Sequence, residues 1–130
     1  MQVSDTDSRP RGRHQRRSTC PVACSLDLLG DRWTLLVVRD LLLGKSRYTD
    51  FLASAEGIPT NILADRLRRL EQAGLISSAT YGGQTRRKAY QLTESGQALA
   101  PAMRALRDWG LKQFPGTAAP AQGLDSATSA

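Results

Sequence analysis

The two cysteines of the chain, Cys20 and Cys24, lie four residues apart in the stretch STCPVAC. Two thiols at this spacing could serve one of four functions: a metal site, a disulfide, a dithiol active site or a redox sensor. A structural zinc site takes four ligands, and the only histidine, His14, leaves the set one short. A dithiol enzyme favours Cys-x-x-Cys beside a strand. A bridge across one helical turn is strained, although the position of Cys20 at the frayed end of the helix could permit it.

The remaining composition also argues against an enzyme. Residues 20–114 contain no Ser/His/Asp set, paired carboxylates, phosphate-binding loop or metal-ligand cluster, so we expect no catalytic residue, no metal and no cofactor. The net charge of +6 favours an anionic partner such as nucleic acid or a lipid surface, although a solvated basic protein would show the same balance. No apolar run has the length of a membrane span and no secretory signal is present, so we expect a cytoplasmic protein without a membrane partner.

Composition divides the 130 residues into three segments. Residues 1–18 are rich in arginine and poor in large apolar side chains, which predicts a disordered basic tail. Residues 115–130 are rich in Gly, Ala, Pro, Ser and Thr, which predicts a second disordered tail. The segment 19–114 is therefore the expected folded domain.

Apolar periodicity within this domain predicts a mainly α-helical fold with a small β-hairpin. The predicted helices cover residues 21–29, 32–43, 50–55 and 61–73, with Cys20, Asp31, Thr49 and Thr60 as their respective caps. Strands over 75–81 and 86–92 form the hairpin, and Thr93 begins a long final helix that reaches about Phe114. Pro101 lies inside this helix and is expected to kink it. A short helix, a glycine turn, a longer helix and a hairpin make a winged helix-turn-helix.

The helix over residues 61–73 is the candidate recognition helix. Leu63, Leu67 and Leu70 share one face, which is expected to pack on the domain. The exposed face would present Thr60, Asn61, Asp65, Arg68 and Arg69 to the major groove of DNA. Asn can bond adenine and Asp can accept from cytosine, while arginine reaches bases or phosphates. An amphipathic helix in which Asp65 simply pairs with Arg68 or Arg69 remains the alternative.

The hairpin adds a second basic element. Arg86, Arg87 and Lys88 follow the turn Gly82-Gly83-Gln84-Thr85, where they would neutralise DNA phosphates. A solvated loop would explain the same run of charges. Both basic elements occur in the order that a DNA-binding winged helix requires, so double-stranded DNA is the expected partner. A winged-helix protein-interaction module without specific DNA binding is the alternative function.

Several motifs in order give the chain a family resemblance. CPV near the start, GDRWTLLVVRDLLLG, LADRLRRLEQAGLI, YQLTESG and LRDWG together resemble the HxlR-type winged helix-turn-helix regulators of bacteria. The resemblance implies a homodimeric transcription factor, more often a repressor, that binds a palindromic operator. It also implies a dimer interface of the N- and C-terminal helices, which corresponds here to Leu26, Leu99, Met103, Leu106 and Trp109. Ala89 stands at the position of an acidic residue that is frequent in the family.

The resemblance also bears on the thiols. Some members of the family sense oxidants, electrophiles or aldehydes through the cysteine of the CPV motif, which is Cys20 here. A cysteine at a helix N-terminus feels the positive end of the helix dipole, which favours the thiolate. Cys24, one turn further, is expected to pack as a small hydrophobic residue. Two interpretations of Cys20 therefore stay open: a sensor of a small oxidant or electrophile, or a plain helix cap.

Overall fold

A computed structural model describes residues 18–82, 87–119 and 123–126. Its elements in chain order are helices α1 (Pro21–Leu29), α2 (Thr34–Leu42), α3 (Tyr48–Leu52) and α4 (Thr60–Gln72), strands β1 (Ile76–Tyr81) and β2 (Arg87–Leu92), and helices α5 (Glu94–Gln97), α6 (Ala100–Gln113) and α7 (Gly123–Ser126). The fold is mainly helical with one antiparallel hairpin behind α4, which confirms the predicted fold class. None of the described helices has both the length and the apolar character to cross a membrane.

The core lies where α2, α3 and α4 meet. Leu63, Leu67 and Leu70 of α4 are almost fully buried, as their spacing predicts, and they pack with Val38 of α2 and Phe51 of α3. Burial of a leucine side chain contributes about 2 kcal/mol, so the three leucines hold α4 firmly on the domain. The orientation of the opposite face of α4 is thereby set.

The predicted helix boundaries need correction at three places. The third helix begins at Tyr48, before the predicted cap Thr49, because the Asp50 carboxylate accepts from the backbone N–H of Arg47 at 3.0 Å and stabilises an earlier start. Thr60 is the first residue of α4 and Pro59 is its N-cap. Asp31 does accept from the backbone N–H groups of Trp33 and Thr34, but regular helix begins only at Thr34.

The hairpin is attached to the helices at both of its ends. Its strands pair from Ile76 opposite Leu92 to Tyr81 opposite Arg87. Ile76 is buried at the base. The segment before α3 joins β2 through a bridge between Arg47 and Ala89 and a backbone hydrogen bond from Tyr90 N to Ser46 O at 2.7 Å. The wing is therefore tied to the start of the helix-turn-helix.

The final helix is divided into two helices, α5 and α6. Thr93 caps α5, as predicted, through a hydrogen bond from Gly96 N to its hydroxyl oxygen. Gly96 allows a close approach, since a Cβ there would lie 2.1 Å from the Leu75 carbonyl oxygen. The break falls at residues 98 and 99, and Pro101 lies in the first turn of α6. A backbone N–H in the first turn has no acceptor within the helix, so a proline there costs no hydrogen bond. Pro101 thus follows the break instead of kinking a continuous helix.

Part of the C-terminal segment contradicts the prediction of a disordered tail. Gly123–Ser126 form the short helix α7, and the Leu124 side chain is only 2% exposed. Arg104 donates to the Leu124 carbonyl oxygen at 3.0 Å, and Arg107 pairs with Asp125 at 2.9 Å. One buried leucine and two contacts with arginines of α6 dock this segment, and an argument from the average composition of sixteen residues does not detect them.

Candidate nucleic-acid interface

The outer face of α4 is open to solvent. Thr60, Asn61, Arg68 and Arg69 are exposed, while Asp65 is half-buried between them. The buried leucines leave this face directed away from the core. The structure therefore brings together on one surface the five residues of α4 that the sequence assigns to DNA.

Asp65 is the shared carboxylate of three arginines. Arg66 and Arg69 donate to it at 2.5 and 3.4 Å, and Arg68 also donates to it. Desolvation opposes ionisation of Asp65, but the hydrogen bond from Arg69 and the charges of Arg68 and Arg66 outweigh it and lower its pKa. In the free protein Asp65 thus makes the intrahelical pairs that were the alternative interpretation. A contact with a cytosine would require exchange of these partners.

Arg66 connects α4 to the start of α2. Its Nε donates to Asp31 at 3.2 Å, and its side chain is 15% exposed. Partial burial disfavours the Asp31 anion, but hydrogen bonds from Thr34, the backbone of Trp33 and Thr34, and Arg66 lower its pKa to about 2. Arg66 thus positions α4 relative to the start of α2. Its pairing with Asp31, which is 35 residues away in the sequence, cannot be predicted from local spacing.

The basic residues of β2 are exposed and are not engaged like those of α4. Arg87 and Lys88 lie opposite Tyr81 and Thr80 in the hairpin. Neither forms an ion pair with the residues that the structure describes. Arg86, the third predicted wing residue, lies outside the described residues.

Arg47 is a basic residue that the sequence argument missed. Its guanidinium lies 4.4 Å from the centre of the Tyr81 ring, which connects the start of α3 to the wing. A recess of about 410 Å³ opens beside it, and Arg47, Arg87 and Lys88 supply its positive charge. The Tyr48 hydroxyl, on the same recess, donates to the Thr60 carbonyl oxygen at 2.8 Å and so positions the start of α4. The sequence signal for this recess would have been a tyrosine at the end of the first strand, Tyr81, with basic residues both before the third helix and after the hairpin turn.

A second ion-pair network holds the turn before α4. Arg39 of α2 donates to both carboxylate oxygens of Glu56 at 2.9 and 2.8 Å, and also to Asp40. The hydrogen bonds from Arg39 lower the pKa of Glu56 to about 2, although partial burial opposes this. Lys45 donates to Ser54 at 2.9 Å, and the Ser54 hydroxyl donates to Asp40. The angle between α3 and α4 is thus supported by polar contacts as well as by the core.

Comparison with known proteins shows the family of the chain that carries this surface. The family model described as HxlR-like helix-turn-helix matches residues 28–117. The chain belongs to the HxlR-like helix-turn-helix family. It is 37% identical over 115 residues to the uncharacterised HTH-type transcriptional regulator Rv3095 of Mycobacterium tuberculosis, which covers 88% of this chain and 68% of that protein. These relatives are transcriptional regulators, a non-enzymatic family, which confirms that the chain is not an enzyme.

Solved structures agree with this assignment. The crystal structure of PA1607, a candidate transcription factor, has a TM-score of 0.71 and 38% identity, and it covers 79% of this chain and 72% of that one. The redox regulator HypR in its reduced form has a TM-score of 0.68 and 28% identity, with coverage of 74% and 95%. The HxlR-like chain is therefore a winged-helix protein of the DNA-binding transcriptional regulators.

Two helices of this HxlR-like chain carry exposed apolar side chains. Val22 and Leu26 of α1 are 65% and 57% exposed, and Leu106 and Trp109 of α6 are 50% and 58% exposed. Leu99, also assigned to a dimer interface, is partly buried. Met103 requires revision: it is only 8% exposed in the single chain, because its side of α6 faces the core. The exposed side chains Val22 and Leu26 of α1 and Leu106 and Trp109 of α6 are together called the apolar surface on α1 and α6.

The thiols of the HxlR-like chain occupy different environments. Cys20 is the N-cap residue of α1 by backbone position and is exposed, and its side chain makes no capping hydrogen bond. Cys24 is partly buried, and its thiol donates to the Ser18 carbonyl oxygen at 3.3 Å. No group of three or more metal-ligating side chains occurs within the described ranges. The accessible thiol is thus the one that the sequence selected as a sensor candidate.

Proposed function

We propose that this HxlR-like regulator binds a palindromic operator in a sequence-specific manner as a homodimer, and that it represses transcription in the cytoplasm. The observation that carries the proposal is the exposed polar face of α4, held outward by three buried leucines and flanked by the basic hairpin. A helix presented in this way fits the major groove, while the wing contacts the adjacent backbone.

Each element has a separate task in the proposed complex. Thr60 and Asn61 at the start of α4 approach base edges, where asparagine bonds adenine bidentately. Arg68 and Arg69 leave Asp65 to reach bases or phosphates. Arg86, Arg87 and Lys88 neutralise phosphates whatever the sequence, so they contribute affinity without specificity.

The homodimer is supported by the apolar surface on α1 and α6. Leu26, Leu106 and Trp109 are at least half exposed in the single chain, and large apolar side chains grouped in this way are typical of subunit contacts. Twofold symmetry presents two copies of α4 to half-sites about one DNA turn apart. A palindromic operator follows from that symmetry.

Gel-shift titration tests specific binding against the alternative of a protein-interaction module. The full chain is titrated onto the intergenic DNA beside its own gene and onto random DNA of equal length, at two salt concentrations. We expect a preference for one intergenic segment and a steep fall in affinity with salt on both. Equal affinity for both DNAs, or salt-insensitive behaviour, overturns the specific regulator and favours the interaction module.

Light scattering after size-exclusion chromatography tests the dimer. Trp109→Glu places a charge on the apolar surface and is expected to convert the dimer to a monomer and to weaken operator binding. Ser95→Glu, on exposed α5, is the matched control with the same added charge. A monomeric wild type excludes the proposed assembly.

We further assign the oxidant response to Cys20. The support is its exposure at the start of α1, next to the apolar surface, together with the similarity to the redox regulator HypR. Diamide treatment is expected to change operator affinity in the wild type and in Cys24→Ser, but not in Cys20→Ser. If all three proteins respond alike or none responds, Cys20 only begins a helix.

A further inference from the structure

A cavity of about 430 Å³ lies between α2, α6 and the chain that follows α6. Its wall is mainly apolar and includes Leu35, Leu36, Met103, Leu106, Phe114 and Leu124. Ligand sites of proteins have this character: a few hundred cubic ångströms, apolar walls and a small number of polar groups.

The charged groups at the cavity are mostly balanced already. Arg39 is paired with Glu56 and Asp40, and Asp31 is paired with Arg66. Arg32 is the exception, because it forms no ion pair with the residues that the structure describes and contacts only the Trp33 ring, at 5.7 Å. The cavity thus combines an apolar interior with Arg32, a cation that has no carboxylate partner among the described residues.

The C-terminal segment shows which chemistry this region accepts. Leu124 is 2% exposed on the cavity wall, and the neighbouring Asp125 carboxylate bonds Arg107 at 2.9 Å. An apolar group followed by a carboxylate is therefore bound here by the chain itself. Residues 117–119 also line the cavity, so the same segment covers its open side.

We propose that this cavity binds a small carboxylate with an apolar body. The body occupies the space between Leu36, Met103 and Phe114, and the carboxylate pairs with Arg32 at the rim. The Asp31 carboxylate does not repel the ligand strongly, since Arg66 and its hydrogen-bond donors already balance its charge.

The position of Asp31 gives the ligand a route to α4. Asp31 lines the cavity and bonds Arg66, whose other partner is Asp65 among the DNA-facing residues. A ligand that shifts the start of α2 therefore alters the support of α4. This regulatory consequence rests on the proposed function, whereas ligand binding itself does not.

Calorimetric titration without DNA tests the site. The full chain is titrated with decanoate and with 2-naphthoate, which distinguish an aliphatic from an aromatic body, and with the neutral amide of each. We expect at least one carboxylate to bind at one site per chain, and its amide to bind about tenfold more weakly, as loss of one charged hydrogen bond predicts.

Two variants localise the site. Gly110 lines the cavity, and a Cβ added there meets no heavy atom within 4 Å, so the first carbon of Gly110→Leu has room and the rest of its side chain is expected to occupy cavity space. It should raise the melting temperature of the free protein, because glycine is unfavourable within a helix, and weaken carboxylate binding at least tenfold. Arg32→Gln should remove the preference of carboxylate over amide. Lys112→Gln, an exposed cation on α6 outside the cavity wall, is the control and should bind as the wild type does.

The outcomes separate the site from its regulatory effect. The proposed site is overturned if neither carboxylate binds, or if both bind equally to the wild type and to Gly110→Leu. It is also overturned if a second copy of the chain fills the cavity and excludes the ligand. With the site established, a gel shift with the ligand is expected to show changed operator affinity in the wild type only. Binding without that change overturns the link to α4, and failure to bind any operator refutes the proposed function while leaving the calorimetric result intact.

Discussion

The α4 helix and the wing are both basic, but they hold their charges in different ways. On α4, Arg66, Arg68 and Arg69 converge on Asp65. On β2, Arg87 and Lys88 have no carboxylate partner within the described chain. The helix is fastened by three buried leucines, whereas the hairpin has Ile76 buried at its base and exposed residues towards its tip.

This difference assigns the two regions different parts of recognition. A cation that must leave a carboxylate gains less from a phosphate than a free cation does, so under the proposed function we expect random DNA to be bound mainly through the wing. Correct base contacts can compensate for breaking the Asp65 pairs, and incorrect ones cannot. The internal pairing of α4 therefore favours specificity, while the unpaired wing favours affinity.

Arg68→Ala should have the largest effect on operator binding. If Arg68 contacts a base, its loss is expected to weaken operator binding by about 1–3 kcal/mol and random DNA much less. Competitive gel shifts with operator and random DNA measure both quantities. An equal loss on the two DNAs would break the comparison, because it would make Arg68 a phosphate contact like those of the wing.

Arg87→Ala should weaken binding to all sequences alike. Removal of one phosphate contact is expected to reduce the slope of log affinity against log salt by about 1. Fluorescence anisotropy over a salt series provides the slope, and Lys112→Ala is a control for the loss of one positive charge elsewhere. An unchanged slope would show that Arg87 faces solvent in the complex.

Asp65→Asn tests whether the pairing of the α4 arginines limits their binding to DNA. It releases the three arginines from their shared carboxylate, so random DNA should bind a few-fold more tightly and the preference for operator should fall. Glu71→Gln is the matched control, since it removes the same charge from the same helix, where the Glu71 carboxylate accepts from the Ser78 hydroxyl at 2.8 Å. If both variants gain equally on random DNA, net charge explains the effect and the pairing does not.

Acid should weaken the helix-turn-helix more than the hairpin. The pKa of Asp31 and that of Glu56 are both lowered to about 2 by folding, from 3.8 and 4.5. The stability that each contributes is fully present above the pKa of the unfolded chain and is lost as pH falls from about 4.5 towards 2. Both side chains are partly exposed, so we expect at most about 1 kcal/mol from each. Urea unfolding of the wild type and of Glu56→Gln between pH 5 and 2.5 measures the contribution of Glu56. If the free energies of unfolding of the two proteins fall in parallel with pH, Glu56 does not make this contribution.

Local sequence patterns were sufficient for most of the elements. The spacing of Leu63, Leu67 and Leu70 predicts both α4 and its buried face, and Thr93 predicts the start of α5, because helix periodicity and capping depend on residues within one or two turns. Boundaries were less certain. The start of α3 at Tyr48 depends on Asp50, whose reach back to Arg47 competes with the cap at Thr49.

The sequence by itself thus determined the order of elements from α1 to β2, the family, and which face of α4 is directed outward, but not the break between α5 and α6 or the helix α7. The tertiary structure alone decided the contacts between distant segments: Arg66 with Asp31, Arg47 over Tyr81, and Leu124 against α6. It also placed Met103 in the core and left Trp109 exposed, although both lie on the same amphipathic helix. The physical reason is that periodicity specifies a face of a helix, whereas a partner is specified only when two elements are packed at a definite angle and distance.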